Sequence, residues 1–315
     1  MTSQPVTSEP LTRTTTTATR RRSRGGYLPY LLPGAIGFLL VVAVPAVANA
    51  WLSLTSWSGV GDPTFIGLDN YVRLLGDDTF WKSFANSVAI IIAMAILPTG
   101  VGLFLSAVLF DFIAPRFGGR TATTLRAMFY LPQIIPIAVA GVLWGFLLQP
   151  QTGIVNSSLR AAGLDGLAQN WLGDPALALP TVMIILVWLQ LGYTIVIFMS
   201  GMARIDPSLN EAADLDGASW LQRFWVITVN ELRPEIAVVL LTTTVAALKV
   251  FAPIYVLTSG GPGNATIVPS YFAFYNFFTT TQVGYGAAIS TVLAVLLTAL
   301  AVVLLWLQKR EDKHA

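Results

Sequence analysis

Little in this sequence can do covalent chemistry. Cysteine is absent, so no disulfide, thiol nucleophile or thiolate metal site can form. The lone histidine, His314, stands one residue from the C-terminus, which removes histidine-based catalysis and most zinc chemistry. No Gly-x-x-x-x-Gly-Lys-Ser/Thr loop is present to cradle a nucleotide. Two kinds of cluster remain. One is charged and short: Asp206-Pro207-Ser208-Leu209-Asn210-Glu211-Ala212-Ala213-Asp214-Leu215-Asp216-Gly217-Ala218-Ser219-Trp220. The other is polar groups set into apolar runs, Trp188-Leu189-Gln190-Leu191-Gly192-Tyr193-Thr194 and then Thr242, Thr243, Thr244 and Lys249. Polar groups inside a membrane are costly and therefore functional candidates; Lys249 near the centre of an isolated helix would cost about 2.5–3.5 kcal/mol, so it should face a cavity or a partner acid.

These clusters sit in a chain of 315 residues, 55% hydrophobic and only 11% charged, where a soluble domain has about 25% charged residues. No charge lies between Arg24 and Asp62, Lys82 and Asp111, Arg126 and Arg160, Asp174 and Arg204, or Lys249 and Lys309. Apolar stretches of about 18 residues or more read as membrane spans. A soluble enzyme, a disulfide scaffold and a disordered protein are excluded, and a net charge of +2 is too small to suggest nucleic acid. Six spans are expected, at Leu31–Leu54, Phe84–Phe110, Leu125–Leu148, Ala176–Met202, Ile236–Leu257 and Gly284–Leu307. They must be helices, because unpaired backbone is not tolerated in lipid and no period of two is present for a barrel. The fold class is all-α, a polytopic membrane protein with six transmembrane helices. Pro132 and Pro136 should kink the third span.

Basic residues set the orientation. Arg13, Arg20, Arg21, Arg22 and Arg24 precede the first span; Arg116, Arg120 and Arg126, then Arg204, Arg223 and Arg233, lie in the second and fourth connections; Lys309, Arg310 and Lys313 follow the last span. The opposite side has only Arg73, Lys82 and Arg160. Both termini are expected to be cytoplasmic. Residues 1–26, rich in Thr, Ser and Arg, read as a disordered cytoplasmic tail. Residues 27–83 read as the first helix and its outer loop, 84–308 as the transmembrane core, and 309–315 as a cytoplasmic C-terminal tail. A signal peptide cleaved near Ala48-Asn49-Ala50 is the competing reading of the start, but the run from Leu31 is longer than a signal core and its loss would break the even span count.

The cytoplasmic connection at about 203–234 is the most informative segment. Asp206 can cap a helix whose first position suits Pro207, and Gly217 ends or bends that helix. A second short helix from Ala218 would present Trp220, Phe224 and Ile227 at helical spacing. Helices this short have little stability alone, so the pair is best explained as something that docks into a partner. On the outer side, Ser259-Gly260-Gly261-Pro262-Gly263 makes a tight turn. The aromatic run Tyr271, Phe272, Phe274, Tyr275, Phe277 and Phe278 follows, either an interfacial belt or a docking surface at the mouth of a pathway.

Glu211-Ala212-Ala213 followed by Asp216-Gly217-Ala218 resembles the EAA loop of binding-protein-dependent ABC importer permeases, with Ile205, Pro207, Phe224, Ile227 and Thr228 matching around it. The family usually has a proline where Asn230 stands; here Pro234 comes slightly later. Leu257-Thr258-Ser259-Gly260-Gly261-Pro262 resembles a signature of the carbohydrate-uptake branch, and Gly67-Leu68-Asp69-Asn70-Tyr71 and Asn86-Ser87 resemble two more. The resemblance covers roughly residues 28 to 308.

The resemblance implies a type I ABC importer permease fold and no catalytic residue in this chain. ATP and Mg would be bound by a separate ATPase, into whose groove the EAA helix fits. Glu211 would be the polar contact, Gly217 the hinge, and Ala212, Ala213 and Ala218 the close-packing positions, with Asp216 in the motif. It implies a second permease subunit in a heterodimer, two ATP-binding cassette subunits, an extracytoplasmic solute-binding protein and a place in the cytoplasmic membrane. The stretch holding Trp188, Gln190, Gly192 and Tyr193 resembles the sugar-contact stretch of maltose-type permeases; with Thr243 and Lys249 it makes a candidate solute pathway, and Gly260, Gly261 and Pro262 an outer loop. Plainer roles stand beside these. Threonines bond back to their own helix, Gly192 lets helices approach, and Gln190 links two permease subunits. A glycerol phosphate or polyol permease is the alternative function. A stand-alone secondary transporter would need acids inside the spans, and none lies well inside one.

Overall fold

The computed structural model describes residues 28–311. The tail expected over 1–26, and the end of the one expected over 309–315, lie outside them. The chain divides into two compact units, 1–47 and 48–315. Of the first unit, residues 28–47 are helical; from residue 30 they are largely exposed and belong to an apolar helix α1, Tyr30–Leu52.

The second unit is helical apart from one antiparallel pair, β1 (Thr55–Ser56) with β2 (Thr64–Phe65). In order follow α2 (Asp69–Leu75), α3 (Asp78–Phe117), α4 (Gly119–Ile134), α5 (Ile137–Leu147), α6 (Ile154–Ala161) and α7 (Ala178–Met202). The elbow comes next, α8 (Pro207–Leu215) and α9 (Trp220–Arg223), the latter prolonged to 231. After it come α10 (Arg233–Leu248), α11 (Ala252–Leu257), α12 (Pro269–Phe274) and α13 (Val283–Glu311).

Prolines explain where these helices deviate. A proline clashes with the carbonyl four residues earlier and cannot donate to it. Pro45, Pro98 and Pro115 each follow a π-helical turn, at Leu39–Ala43, Ile92–Ile96 and Leu109–Ile113, and the affected carbonyls (41, 94 and 111) sit at the middle of those turns. The widened turn lets α3 run 40 residues through two prolines. Pro136 acts differently. It drives Ile135 into an extended conformation (ψ 126°), and α4 and α5 meet at 95°. The expected kink of the third span is therefore at Pro136, while Pro132 stays inside α4.

The six expected crossings are not all single helices. Among the described residues four helices are long and apolar enough to cross a membrane: α1, α3, α7 and the Val283–Val303 part of α13. The bent pair α4–α5 makes five if it is one span. The stretch Ile236–Leu257 departs from expectation. Pro253 leaves the Lys249 carbonyl without its helical donor, and the helix breaks over 249–251 between the 16-residue α10 and the short α11. Sixteen residues reach only about 24 Å, less than the ~30 Å hydrocarbon core.

Lipid offers no hydrophobic drive between helices, so close packing must hold them. Phe80 and Ile90 of α3, Val182 and Leu186 of α7, Ile254 of α11 and Ile289 of α13 form one core; Leu103, Ala107, Phe198, Met202, Phe224, Leu232 and Val239 form another beside the elbow. Buried amides tie loops to helices. Asn70 Nδ2 donates to Ser53 O and Thr55 O (both 2.9 Å), and Asn86 Nδ2 to Ala265 O (3.0 Å) and Ile267 O (2.8 Å). Tyr285 OH donates to Asp77 Oδ2 (2.6 Å) while the Arg73 guanidinium lies 4.0 Å over its ring.

Candidate functional site

The elbow folds from local signals. Asp206 caps α8, accepting from Ser208 N at 2.9 Å, and that bond holds its carboxyl below the usual range. At the other end Ala218 N donates to Ala213 O (2.9 Å) and Gly217 takes φ +71°, the left-handed closure of a helix terminus. An added Cβ at Gly217 would meet no atom within 4 Å, so the residue is required for its backbone angle and not for space. Ser219 and Gln222 then form a reciprocal capping box, and α9 begins at Trp220, two residues after the expected start.

Within the elbow Glu211, Ala212 and Asp216 are exposed, and Ala213 and Ala218 are half-buried. Glu211 lines a cavity of about 330 Å³ together with Asp111, Met202, Pro207, Asn210 and Asp214. The aromatic face expected from helical spacing turns inward. Trp220 stacks on Phe224, which is 5% exposed, and both pack against α3. Leu209, Leu215, Leu221, Trp225 and Val226 are exposed apolar positions of the elbow. Sequence reasoning missed Asp111, which accepts from Trp220 Nε1 at 2.8 Å, and the ion pair Asp214–Arg223 that bridges the Gly217 turn. Their signal was weak, since one is separated by 109 residues and the other by nine. A second pair, Arg204–Glu235, joins the end of α7 to the start of α10.

The polar run of α7 divides between faces, as about 100° per residue requires. Gln190 and Tyr193, three apart, share one face, and Tyr193 OH shares a 3.1 Å hydrogen bond with Thr242 of α10. Trp188 and Gly192, four apart, share another. Trp188 meets Trp144 of α5 edge-on (5.5 Å between centroids), and Gly192 is buried against the α4 backbone at Phe129 and Tyr130. Thr243 is 1% exposed and donates to Val239 O at 2.7 Å. Thr242 likewise donates to Val238 O at 2.8 Å. Lys249 is exposed at the break between α10 and α11.

In the turn after α11 Gly260 adopts φ +75°, and a Cβ there would lie 2.7 Å from the Tyr271 ring. Gly261 N donates to Thr258 O (2.9 Å) and Gly261 O accepts from Thr266 Oγ1 (2.8 Å), with a cis peptide to Pro262. Tyr271 stacks near Phe251 and Tyr275, and burial pushes its phenol upward. Tyr271, Tyr275, Ser259, Gly261 and Asn264 line a cavity of about 400 Å³. Among the described residues no group of three or more His, Cys, Asp or Glu could hold a metal ion.

Residues 112–314 match the family described as binding-protein-dependent transport system inner membrane component. The chain belongs to that family. The permease is 37% identical over 276 residues to a probable ABC transporter permease protein, YurN, of Bacillus subtilis, covering 87% of this chain and 93% of that one. It is 34% identical to the trehalose/maltose transport system permease protein MalF of Thermococcus litoralis, over 90% of this chain and 94% of the other. Its fold is similar to that of a chain in a bacterial ABC transporter involved in the import of the acidic polysaccharide alginate, with a TM-score of 0.76, 24% identity and coverage of 90% and 96%. The permease fold expected from the elbow and outer-loop motifs is thus the observed one.

Proposed function

We propose that this permease carries a neutral di- or oligosaccharide across the cytoplasmic membrane, in an importer driven by ATP that a separate ATPase binds with Mg and hydrolyses. Family membership carries the transport reading; the sugar class is supported by relatives named for trehalose/maltose and for diacetylchitobiose uptake. A second, unlike permease subunit completes the pathway, two ATP-binding cassette subunits drive it, and an extracytoplasmic solute-binding protein delivers the cargo. Six crossings, with α4–α5 as the third and α10–α11 as a broken fifth, put both termini in the cytoplasm.

Glu211 and the exposed side of α8 dock on the ATPase. Closure of its dimer moves two elbows together and rocks the spans between inward and outward openings. Gly217 sets the angle between α8 and α9. The pathway runs beside the Gln190–Tyr193 face and the break at Lys249. The turn at Gly260, Gly261 and Pro262 shapes its outer mouth. Glycerol derivatives are the second reading, since a sulfoquinovosyl glycerol permease of Agrobacterium fabrum is 31% identical. Apart from Lys249 the basic residues of the expected spans lie at their ends, as Arg126 does, which favours a neutral cargo.

Uptake of radiolabelled maltose, trehalose, chitobiose and glycerol phosphate by a deletion strain and its complemented parent tests the reading. Loss and recovery of a sugar is the expected result; loss confined to glycerol phosphate overturns the sugar class, and uptake by this chain in vesicles without an ATPase overturns the mechanism.

A further inference from the structure

The elbow is one mechanical piece. Asp214–Arg223 ties α8 to α9 across Gly217, and the Ala218 N to Ala213 O bond closes the turn between them. The elbow grips α3 through two aromatic rings, the buried Phe224 and the half-buried Trp220, and of these Trp220 alone adds a hydrogen bond. The Trp220 ring lies 5.1 Å from Phe112 and 5.9 Å from Phe104, both on α3, and 5.6 Å from Phe224 behind it. Its single donor, the indole N–H, is spent on Asp111. Phe104 and Asp111 are seven residues apart, two helical turns, and so present to the same side. Asp111 itself sits in the π turn Leu109–Ile113 that Pro115 imposes.

The far end of α3 is held just as specifically. Asn86 bonds the carbonyls of Ala265 and Ile267 in the outer loop, Lys82 Nζ donates to Gly263 O at 3.2 Å, and Asp77, which caps α3, accepts from Tyr285 of α13. One 40-residue helix, about 60 Å long, therefore has the elbow fastened near one end and the outer loop at the other. Asp111–Trp220 adds to that a directional bond at an exposed site, where packing alone would already exclude lipid.

We propose that Asp111 and Trp220 are a positioning pair: their hydrogen bond is the latch through which displacement of the elbow is passed along α3 to the outer loop. This rests on the reading of the chain as an ATP-driven permease, not on the nature of its cargo. Without the bond the Trp220 ring slides on Phe104 and Phe112, and the elbow moves without carrying α3.

The test uses the complete transporter, purified with its co-purifying ATPase and placed in nanodiscs. The chain has no native cysteine, so a fluorophore on Thr279→Cys, an exposed position of the outer connection, is the sole thiol label on this subunit. ATP with vanadate is the stimulus, and no cargo is needed. Trp220→Phe keeps the ring and loses the donor; Asp111→Ala loses the acceptor; Asp111→Asn keeps an acceptor oxygen. The fluorescence response should fall about tenfold in the first two, the scale of one charge-assisted hydrogen bond. ATP hydrolysis should persist in both, their double variant should be no worse than either, and Asp111→Asn should keep most of the response. A full response in Trp220→Phe, or Asp111→Asn failing as completely as Asp111→Ala, overturns the latch. Should Trp220→Phe fail to assemble, the Asp111→Asn and Asp111→Ala comparison decides alone. Maltose uptake by the same transporter reconstituted in sealed vesicles bears on the sugar reading independently.

Discussion

The contact of α7 with α4 at Gly192 can be tested by a single methyl group. In Gly192→Ala the added Cβ would lie 2.7 Å from Tyr130 Cα and 2.9 Å from the Phe129 carbonyl carbon, and closer still to that carbonyl's oxygen. Carbon atoms normally rest about 3.5–4.0 Å apart, so α4 would have to withdraw by roughly 1 Å. All three obstructing atoms are main chain, so no rotamer change relieves the clash. Overpacking of this kind costs about 1–3 kcal/mol. Helix propensity works the other way, since alanine is better than glycine by about 0.8–1.0 kcal/mol. Gly145→Ala in α5, where nothing lies within 4 Å of the new Cβ, receives the propensity gain without the clash.

The difference between the two variants cancels propensity and isolates the packing term of about 1–3 kcal/mol. Thermal unfolding of the purified chain, followed by tryptophan fluorescence, should place Gly192→Ala below Gly145→Ala by several degrees, on the order of 2–4 °C per kcal/mol. Gly102→Ala supplies an internal comparison. Its Cβ would lie 2.9 Å from Thr194 Cβ and nearer to the Thr194 hydroxyl, which are side-chain atoms. Adding Thr194→Ala should recover part of that loss, whereas no side-chain change should recover Gly192→Ala. A Gly192→Ala protein melting at or above Gly145→Ala would refute the reasoning.

Other perturbations separate backbone, polar and charge effects. At Gly217 the space is open and only φ +71° constrains the residue; Gly217→Asn should retain coupled uptake, Gly217→Ala should cost about 1–2 kcal/mol of elbow stability, and Gly217→Pro should leave ATP hydrolysis running without uptake, which paired uptake and ATPase assays would check. Asn86→Leu strips the donors from two carbonyls of the outer loop; at about 1–3 kcal/mol for each buried unsatisfied group, it should lower the melting temperature and speed amide exchange around residues 263–268. Lys249→Met should weaken sugar uptake while leaving the ATPase bound, as judged by co-purification; unchanged transport kinetics would remove Lys249 from the pathway.

How much of this was legible depends on the range of the interaction concerned. The elbow could be read because its signals are local. Asp206-Pro207 starts α8, Gly217 stops it and Ser219 with Gln222 starts α9, each within four residues of its partner. The direction of Trp220 could not be read. Helical spacing puts Trp220 and Phe224 on one face but does not say which neighbour that face meets, and the answer, Asp111, is 109 residues away. The same holds for the α7 run: periodicity separates the Gln190–Tyr193 face from the Trp188–Gly192 face, yet only tertiary packing assigns α10 to one and α4–α5 to the other. Hydropathy located Ile236–Leu257 but averaged over Pro253, whose effect on the carbonyl of Lys249 is a hydrogen-bond matter that an apolar count does not register.

That break has a physical consequence for where the cargo passes. Irregular backbone at membrane depth is tolerated only where it is buried in protein or lines a water-filled cavity, because lipid cannot satisfy the freed groups. Residues 249–251 carry such backbone, and they place a cation, Lys249, at the same point, exposed in the isolated subunit. Val250 O accepts from Ser270 Oγ and Phe251 O from Tyr255 N, which leaves the Lys249 carbonyl; a lipid-facing position would combine two penalties, that unpaired carbonyl and a buried ammonium group. A position on the aqueous pathway removes both, since water or a cargo hydroxyl can donate to the Lys249 carbonyl while the ammonium remains solvated. Tyr193 and Thr242, paired across α7 and α10, lie on the elements that lead to this break. The proline that shortens α10 below membrane-spanning length is therefore best understood as what opens a polar gap in the wall of the proposed route, in the one stretch where a continuous apolar helix would have sealed it.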